Sequence, residues 1–212
     1  MQIFNVSEIG IDIDELNKNC ENKYNKKNLK GVSAWNYNEL NQYFIDIIYR
    51  LKKKFNLEKN FSLRKIRVEK YSNKLFQKNQ LPFVPHIDFD RCLKIMIYLE
   101  NVDDEEGAFC VAPKDPNYYE KKRLSLSPNK KNKINNSITD FNPQDYLVFK
   151  GKKGSAIFFD TNEPHYASEI KSDKTRFILR IDFKNSNWKM PIRVYLKKFY
   201  FDKFLNYFKK FI

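Results

Sequence analysis

The sequence predicts a mainly β fold, a β-sandwich or jelly roll buttressed by helix. Two observations carry this. Six short apolar segments, each bounded by turn-forming residues, lie between Lys65 and Phe183, and one segment of clear helical periodicity precedes them. The chain has 212 residues, 42% of them apolar and 16% aromatic, which is ample material for one core.

Residues 1–32 are polar and rich in Asn and Lys, and are expected to form an irregular or partly helical lead-in. From Asn38, a candidate N-cap, Leu40, Phe44, Ile47, Ile48, Leu51 and Phe55 recur at helical spacing, so one face of a helix should pack on the domain. In KIRVEKY (65–71) the pattern changes to period two, with Ile66 and Val68 alternating with charged residues, which reads as a strand. Further strands are expected at 93–99, 108–112, 145–150, 154–160 and 176–183. The intervening stretch 114–144 is long, polar and lysine-rich, and is either a lid or plain surface chain. Residues 1–192 are read as one domain.

Composition excludes several function classes. Five scattered glycines cannot form the turn that lets backbone approach a pyrophosphate or triphosphate. Cys20, Cys92 and Cys110 contain no Cys-x-x-Cys pair and are odd in number; they fit neither a zinc knuckle nor a disulfide framework and read as core filler in a reducing, cytoplasmic compartment. No secretion signal and no apolar run near 18 residues is visible. The net charge of +14 comes from 32 Lys and only 8 Arg beside 24 Asn, a skew expected of A/T-rich codons. Those lysines are scattered, which argues against nucleic acid as a partner.

Both histidines fall near strands. In His86-Ile87-Asp88 the i and i+2 side chains of an extended segment share a face, so an imidazole and a carboxylate can share a metal. His165 follows Asp88 by 77 residues, just beyond the strand GSAIFFD. Two histidines and a carboxylate with open positions suit non-haem Fe(II). Taken alone, His86 and Asp88 also fit a surface turn after Pro85. In TRFILRIDF, Arg176 and Arg180 share one strand face while Phe177, Leu179, Ile181 and Phe183 take the other. A guanidinium facing the same interior as a metal needs an anion, and its fork suits a carboxylate.

At these residues the chain resembles the Fe(II)/2-oxoglutarate-dependent oxygenases. The nearest branch is the phytanoyl-CoA dioxygenase-like family, over residues 64 to 183, where VPHIDFDRCLKIMIYLENVDDEEGAFCVAP is similar to its pattern of His-x-Asp, strand, acidic turn, Gly and Pro. The resemblance implies a double-stranded β-helix, a cupin-like jelly roll. It also implies that His86, Asp88 and His165 ligate Fe(II) and that Arg176 binds the distal carboxylate of 2-oxoglutarate, with O2 as the oxidant. Related halogenases carry a small residue in place of this carboxylate, so Asp88 points to hydroxylation or desaturation. Where the branch has Pro-Gly-Ser-His, this chain has APKDPN, which leaves the local loop and the substrate open.

Tyr71 is a candidate hydrogen-bond partner of 2-oxoglutarate or a structural aromatic. Lys94, Met96 and Tyr98 share a strand face and are expected to line the pocket, with Lys94 a candidate contact to cosubstrate or substrate. Arg180 is either a second anion contact or paired with Asp182 or another carboxylate. Residues 193–212 read as a basic amphipathic helix that either packs on the domain or a partner subunit or touches the inner membrane surface. The expected substrate is a small organic molecule, anionic or lipid- or sugar-linked. Alternatives are the same chemistry on nucleic acid or protein, a zinc hydrolase, which leaves Arg176 without a role, and a non-catalytic β-sandwich binding protein.

Overall fold

The computed structural model describes residues 1–26, 31–73, 82–112, 115–125, 142–171 and 173–189. Strands β1 (Gln2–Asn5), β2 (Val32–Trp35), β3 (Phe61–Ser72), β4 (Leu93–Tyr98), β7 (Ser155–Asp160) and β9 (Thr175–Asn185) form a six-stranded sheet in the order β1-β7-β4-β9-β3-β2. Strands β5 (Phe109–Val111), β6 (Leu147–Phe149) and β8 (His165–Ala167) form a second sheet in the order β6-β5-β8. All named pairs are antiparallel. The two layers make a double-stranded β-helix.

The period-two patterns of β3 and β9 give the large sheet two different faces. Ile66, Val68, Leu179, Ile181 and Phe183 point outward, where they form one core with Leu16 and Cys20 of α1 (Ile13–Lys26) and Phe44, Ile47, Ile48 and Leu51 of α2 (Gln42–Lys54). Tyr71, Met96, Tyr98, Phe159 and Ile178 point inward to Phe109 and Phe149 of the small sheet. Burying an aliphatic or aromatic side chain stabilises by about 1.5–3 kcal/mol, so the helices and the small sheet hold the large sheet from opposite sides. The three cysteines are buried and free.

All six expected strands are present, within four residues at each end. Three strands escape the sequence pattern. β1 and β2 have four residues each, with Phe4 and Ser33 their only buried positions, too short for alternation to show. β8 is three residues long. The lead-in is therefore more ordered than expected: β1 pairs with β7, and α1 follows it. The N-cap of α2 is Asn41, whose side chain accepts from the Phe44 amide, so Asn38, Leu40 and Phe55 lie outside the helix. Within 114–144, residues Glu120–Ser125 form a short helix, α3; the lid reading of 126–141 and the amphipathic helix at 193–212 lie outside the described residues.

Candidate metal and cosubstrate site

Backbone pairing brings the two histidines together. The His86 amide donates to the His165 carbonyl at 3.0 Å and the His165 amide returns a bond of 2.8 Å, a two-residue bridge that continues β8. Asp88 is anchored by its amide to the Thr161 carbonyl at 3.0 Å. The chain thus leaves His86 and Asp88 on one face, as the His-x-Asp spacing requires.

Ligand atoms of His86, Asp88 and His165 all lie within 4.8 Å of one another. His86 Nε2 is 3.8 Å and His165 Nε2 3.7 Å from Asp88 Oδ1. Each Nδ1 meets a backbone carbonyl, that of Val84 at 2.7 Å for His86 and that of Glu163 at 2.8 Å for His165. A carbonyl only accepts, so Nδ1 carries the proton and Nε2 presents its lone pair to the shared space. Burial, and then neighbouring His165, hold His86 down at about 3, which keeps its imidazole neutral. Burial opposes ionisation of Asp88, but Lys94 and the histidines outweigh it and hold the carboxyl well below its ordinary value. Two imidazoles and a carboxylate gathered on one cavity fit Fe(II).

The cavity at this centre measures about 540 Å³. Phe109 and Phe159 wall it, their rings 5.8 and 5.1 Å from that of His165. Across it from the histidines, Arg176 is 2% exposed, donates to the Gly107 carbonyl, and lies over the Tyr71 ring at 4.9 Å. Its Nε has no hydrogen-bond partner among the described residues. A buried guanidinium that forms no ion pair among the described residues fits a carboxylate-bearing ligand.

Other expected site residues fall as follows. Lys94 lines the cavity, but its ammonium donates to Asp88 Oδ2 at 2.6 Å. The Tyr71 hydroxyl donates to Glu69, and its ring lies beneath the Arg176 guanidinium. Arg180 pairs with Glu69 at 3.1 Å, not with Asp182. Tyr98 is not on the cavity: its hydroxyl donates to the Phe149 carbonyl at 2.7 Å and accepts from the Phe109 amide, tying the large sheet to the small one. The sequence does not single out Glu69, and it offers Asp182 only as a partner of Arg180. The alternation that marks Ile66 and Val68 as outward places Arg67, Glu69 and Tyr71 inward, and it was the available signal for Glu69.

The family model of phytanoyl-CoA dioxygenase (PhyH) matches residues 77–178, a stretch that contains His86, Asp88, His165 and Arg176. That stretch is 102 of the chain's 212 residues, and over it the chain is similar to the phytanoyl-CoA dioxygenases. No curated protein matches it. Among solved structures, the chain is similar to iron-bound HygX from Streptomyces hygroscopicus, at 9% identity and a TM-score of 0.56 over 84% of this chain and 81% of HygX. It is also similar to the viral collagen prolyl hydroxylase vCPH of Paramecium Bursaria Chlorella virus-1, at 15% identity and a TM-score of 0.52 over 87% and 89%. EvdO2 from Micromonospora carbonacea var. aurantiaca matches at 16% identity and a TM-score of 0.49 over 70% of this chain, which spans 66% of EvdO2. At these identities the likeness to HygX and vCPH shows the fold.

Proposed function

We propose that the chain is a dioxygenase that uses Fe(II) and 2-oxoglutarate to hydroxylate a small organic molecule. The observation that carries this reading is the convergence of the two Nε2 atoms on Asp88, each ring held through Nδ1 by a backbone carbonyl. His86, Asp88 and His165 would hold the iron, and Arg176 the distal carboxylate of 2-oxoglutarate. Bound together, iron and 2-oxoglutarate supply oxidation of a substrate C–H by O2, with one oxygen atom entering the product and the other leaving in succinate as CO2 is released.

The chain's own residues do the rest. Phe109 and Phe159 keep water from the histidines, and Lys94 holds one oxygen of Asp88 so that the other faces them. Tyr71, fixed by Glu69, sets the plane of Arg176. HygX has been solved with nickel, 2-oxoglutarate and hygromycin B bound, which supports a small-molecule substrate of this fold; a cavity of about 540 Å³ has the size of a small-molecule site.

Adding Fe(II) and 2-oxoglutarate without oxygen should produce a metal-to-ligand charge-transfer absorption. Arg176→Ala should still bind metal while losing roughly 30-fold or more in 2-oxoglutarate affinity, as expected when one partner of a buried charged contact is removed. No absorption from protein shown to hold the metal would overturn the reading.

A further inference from the structure

The strand face that carries Arg176 continues to the far end of the cavity. Arg176, Ile178, Arg180 and Asp182 of β9 all line it, so Arg176 and Asp182 are separated by six residues, about 20 Å of strand. Asp182 stands opposite Lys94 on β4, whose ammonium reaches Asp88. Asp182 is thus at the metal-ligand end, and a cosubstrate running from those ligands to Arg176 leaves this end free.

Asp182 is 3% exposed, and its Oδ1 is buried with no hydrogen-bond partner among the described residues. Such an acceptor asks for an explanation, because buried polar groups in native proteins are almost always satisfied. Its own sheet does not supply the donor. Lys94 is turned to Asp88, Arg180 to Glu69, and no ion pair joins Asp182 to Lys65, its neighbour on β3, among the described residues. The Nε of Arg180, like that of Arg176, is a further buried polar atom on this cavity without a partner among those residues.

Charge narrows what can fill the space. Arg64, Lys65, Arg67 and Arg180 line the cavity with Asp182, whose charge acts on Arg64, Lys65 and Arg180. Glu69 takes Arg67 and Arg180, and Asp90 takes Arg64 and Lys184, so the cations outnumber the carboxylates. Lys65, more than a third exposed, sits at the rim. An ammonium ligand would satisfy Asp182 but would enter a field of cations. A neutral polyol leaves those cations unused, and an apolar ligand strips water from Asp182 without replacing it.

We propose that Asp182 and the cations around it form the prime-substrate subsite, and that it selects a hydroxylated anion. A hydroxyl of the substrate donates to Asp182 Oδ1, and its acid group meets Lys65 and Arg64 at the rim. This assignment rests on the dioxygenase reading, since that reading commits Arg176 to the cosubstrate.

The test is calorimetric titration of full-length protein saturated with Ni(II) and 2-oxoglutarate, using D-glucuronate, glucose 6-phosphate, glucose, hexanoate and glucosamine as probes. The two hydroxylated anions should bind at least ~10-fold more tightly than the other three, the scale of one well-made charged contact. Asp182→Ala should reduce glucuronate to the affinity of hexanoate, and Asp182→Asn, whose amide oxygen still accepts but carries no charge, should leave it between the wild type and Ala. Lys65→Ala should reduce it toward glucose, and both substitutions should leave 2-oxoglutarate affinity as in the wild type. Equal affinity for all probes, a preference for glucosamine, or unchanged glucuronate binding in both Asp182 variants overturns the subsite while the dioxygenase reading stands. A protein that binds no 2-oxoglutarate overturns both.

Discussion

The ammonium of Lys94 lies 2.6 Å from Oδ2 of Asp88, while Oδ1 of the same carboxylate faces the two histidines. Lys94 is almost fully buried, with its ammonium 5.8 Å from the centre of the Phe159 ring, so its position is fixed by packing as well as by charge. The pair divides the labour of one carboxylate, with one oxygen anchored and one presented. In the proposed site Lys94 orients a metal ligand without touching the metal, and partners of this kind contribute roughly 10–100-fold to metal affinity or activity. Lys94→Met keeps the length of the stem and removes the donor. Its Fe(II) or Co(II) affinity, measured by titration against a chelator, should fall by that order. A tighter site would mean that repulsion between ammonium and dication outweighs orientation.

Tyr71 separates two contributions within one side chain. Its ring carries the Arg176 guanidinium, and its hydroxyl donates to Glu69. Tyr71→Phe keeps the ring and loses a hydrogen bond, about 1 kcal/mol of stability with 2-oxoglutarate affinity changed less than about threefold. Tyr71→Ala removes the support as well, and its 2-oxoglutarate affinity should fall at least about tenfold, since a cation over a desolvated ring gains about 2 kcal/mol. Equal 2-oxoglutarate affinities in the two variants would place the effect in the hydroxyl.

How much of this was legible in the sequence follows from the range of each interaction. His-x-Asp, the second histidine and Arg176 were readable because local strand geometry decides which side chains share a face, and scarcity of histidine did the rest. The inward face of β9 was readable for the same reason. The partners were not. Lys94 finding Asp88, and Arg180 choosing Glu69 on β3 over Asp182 two residues away, depend on strand neighbours and register, which no single segment encodes. Tyr98 shares strand alternation with Met96 and yet leaves the cavity, because its position is set by the approach of the small sheet.

Arg123 is fully buried at the head of the stretch read as a loop. It donates to both oxygens of Glu120, at 3.0 and 2.6 Å, and to the Lys189 carbonyl at 2.8 Å, and Glu120 in turn accepts from Asn162 at 2.6 Å. α3 is thereby fastened to the chain after β9 and to the turn that delivers His165. Removing one partner of a buried ion pair costs about 3–5 kcal/mol, discounted here because Glu120 is a quarter exposed. For Arg123→Ala, a loss of roughly 2–3 kcal/mol and a fall in Tm of roughly 4–12 °C are expected in thermal unfolding. A Tm within 2 °C of the wild type would show that α3 is not fastened by this contact.

Glu69 sets the acid limit of the inner network. Burial pushes its carboxyl up, but Arg180, Arg67 and the Tyr71 hydroxyl more than offset this and hold it at about 2, against an ordinary value of 4.5. A carboxyl whose folded pKa is depressed binds its proton more readily in the unfolded chain, so its stabilisation is complete above 4.5 and is lost as pH falls towards 2. Glu69→Gln should therefore be less stable than the wild type at pH 7, by about 3–5 kcal/mol, because Arg180 and Arg67 lose their shared counter-charge. The difference should shrink steadily between pH 4.5 and pH 2. Urea unfolding of both proteins at pH 7, 4 and 3 measures it, and a difference independent of pH would mean that Glu69 contributes shape and not charge.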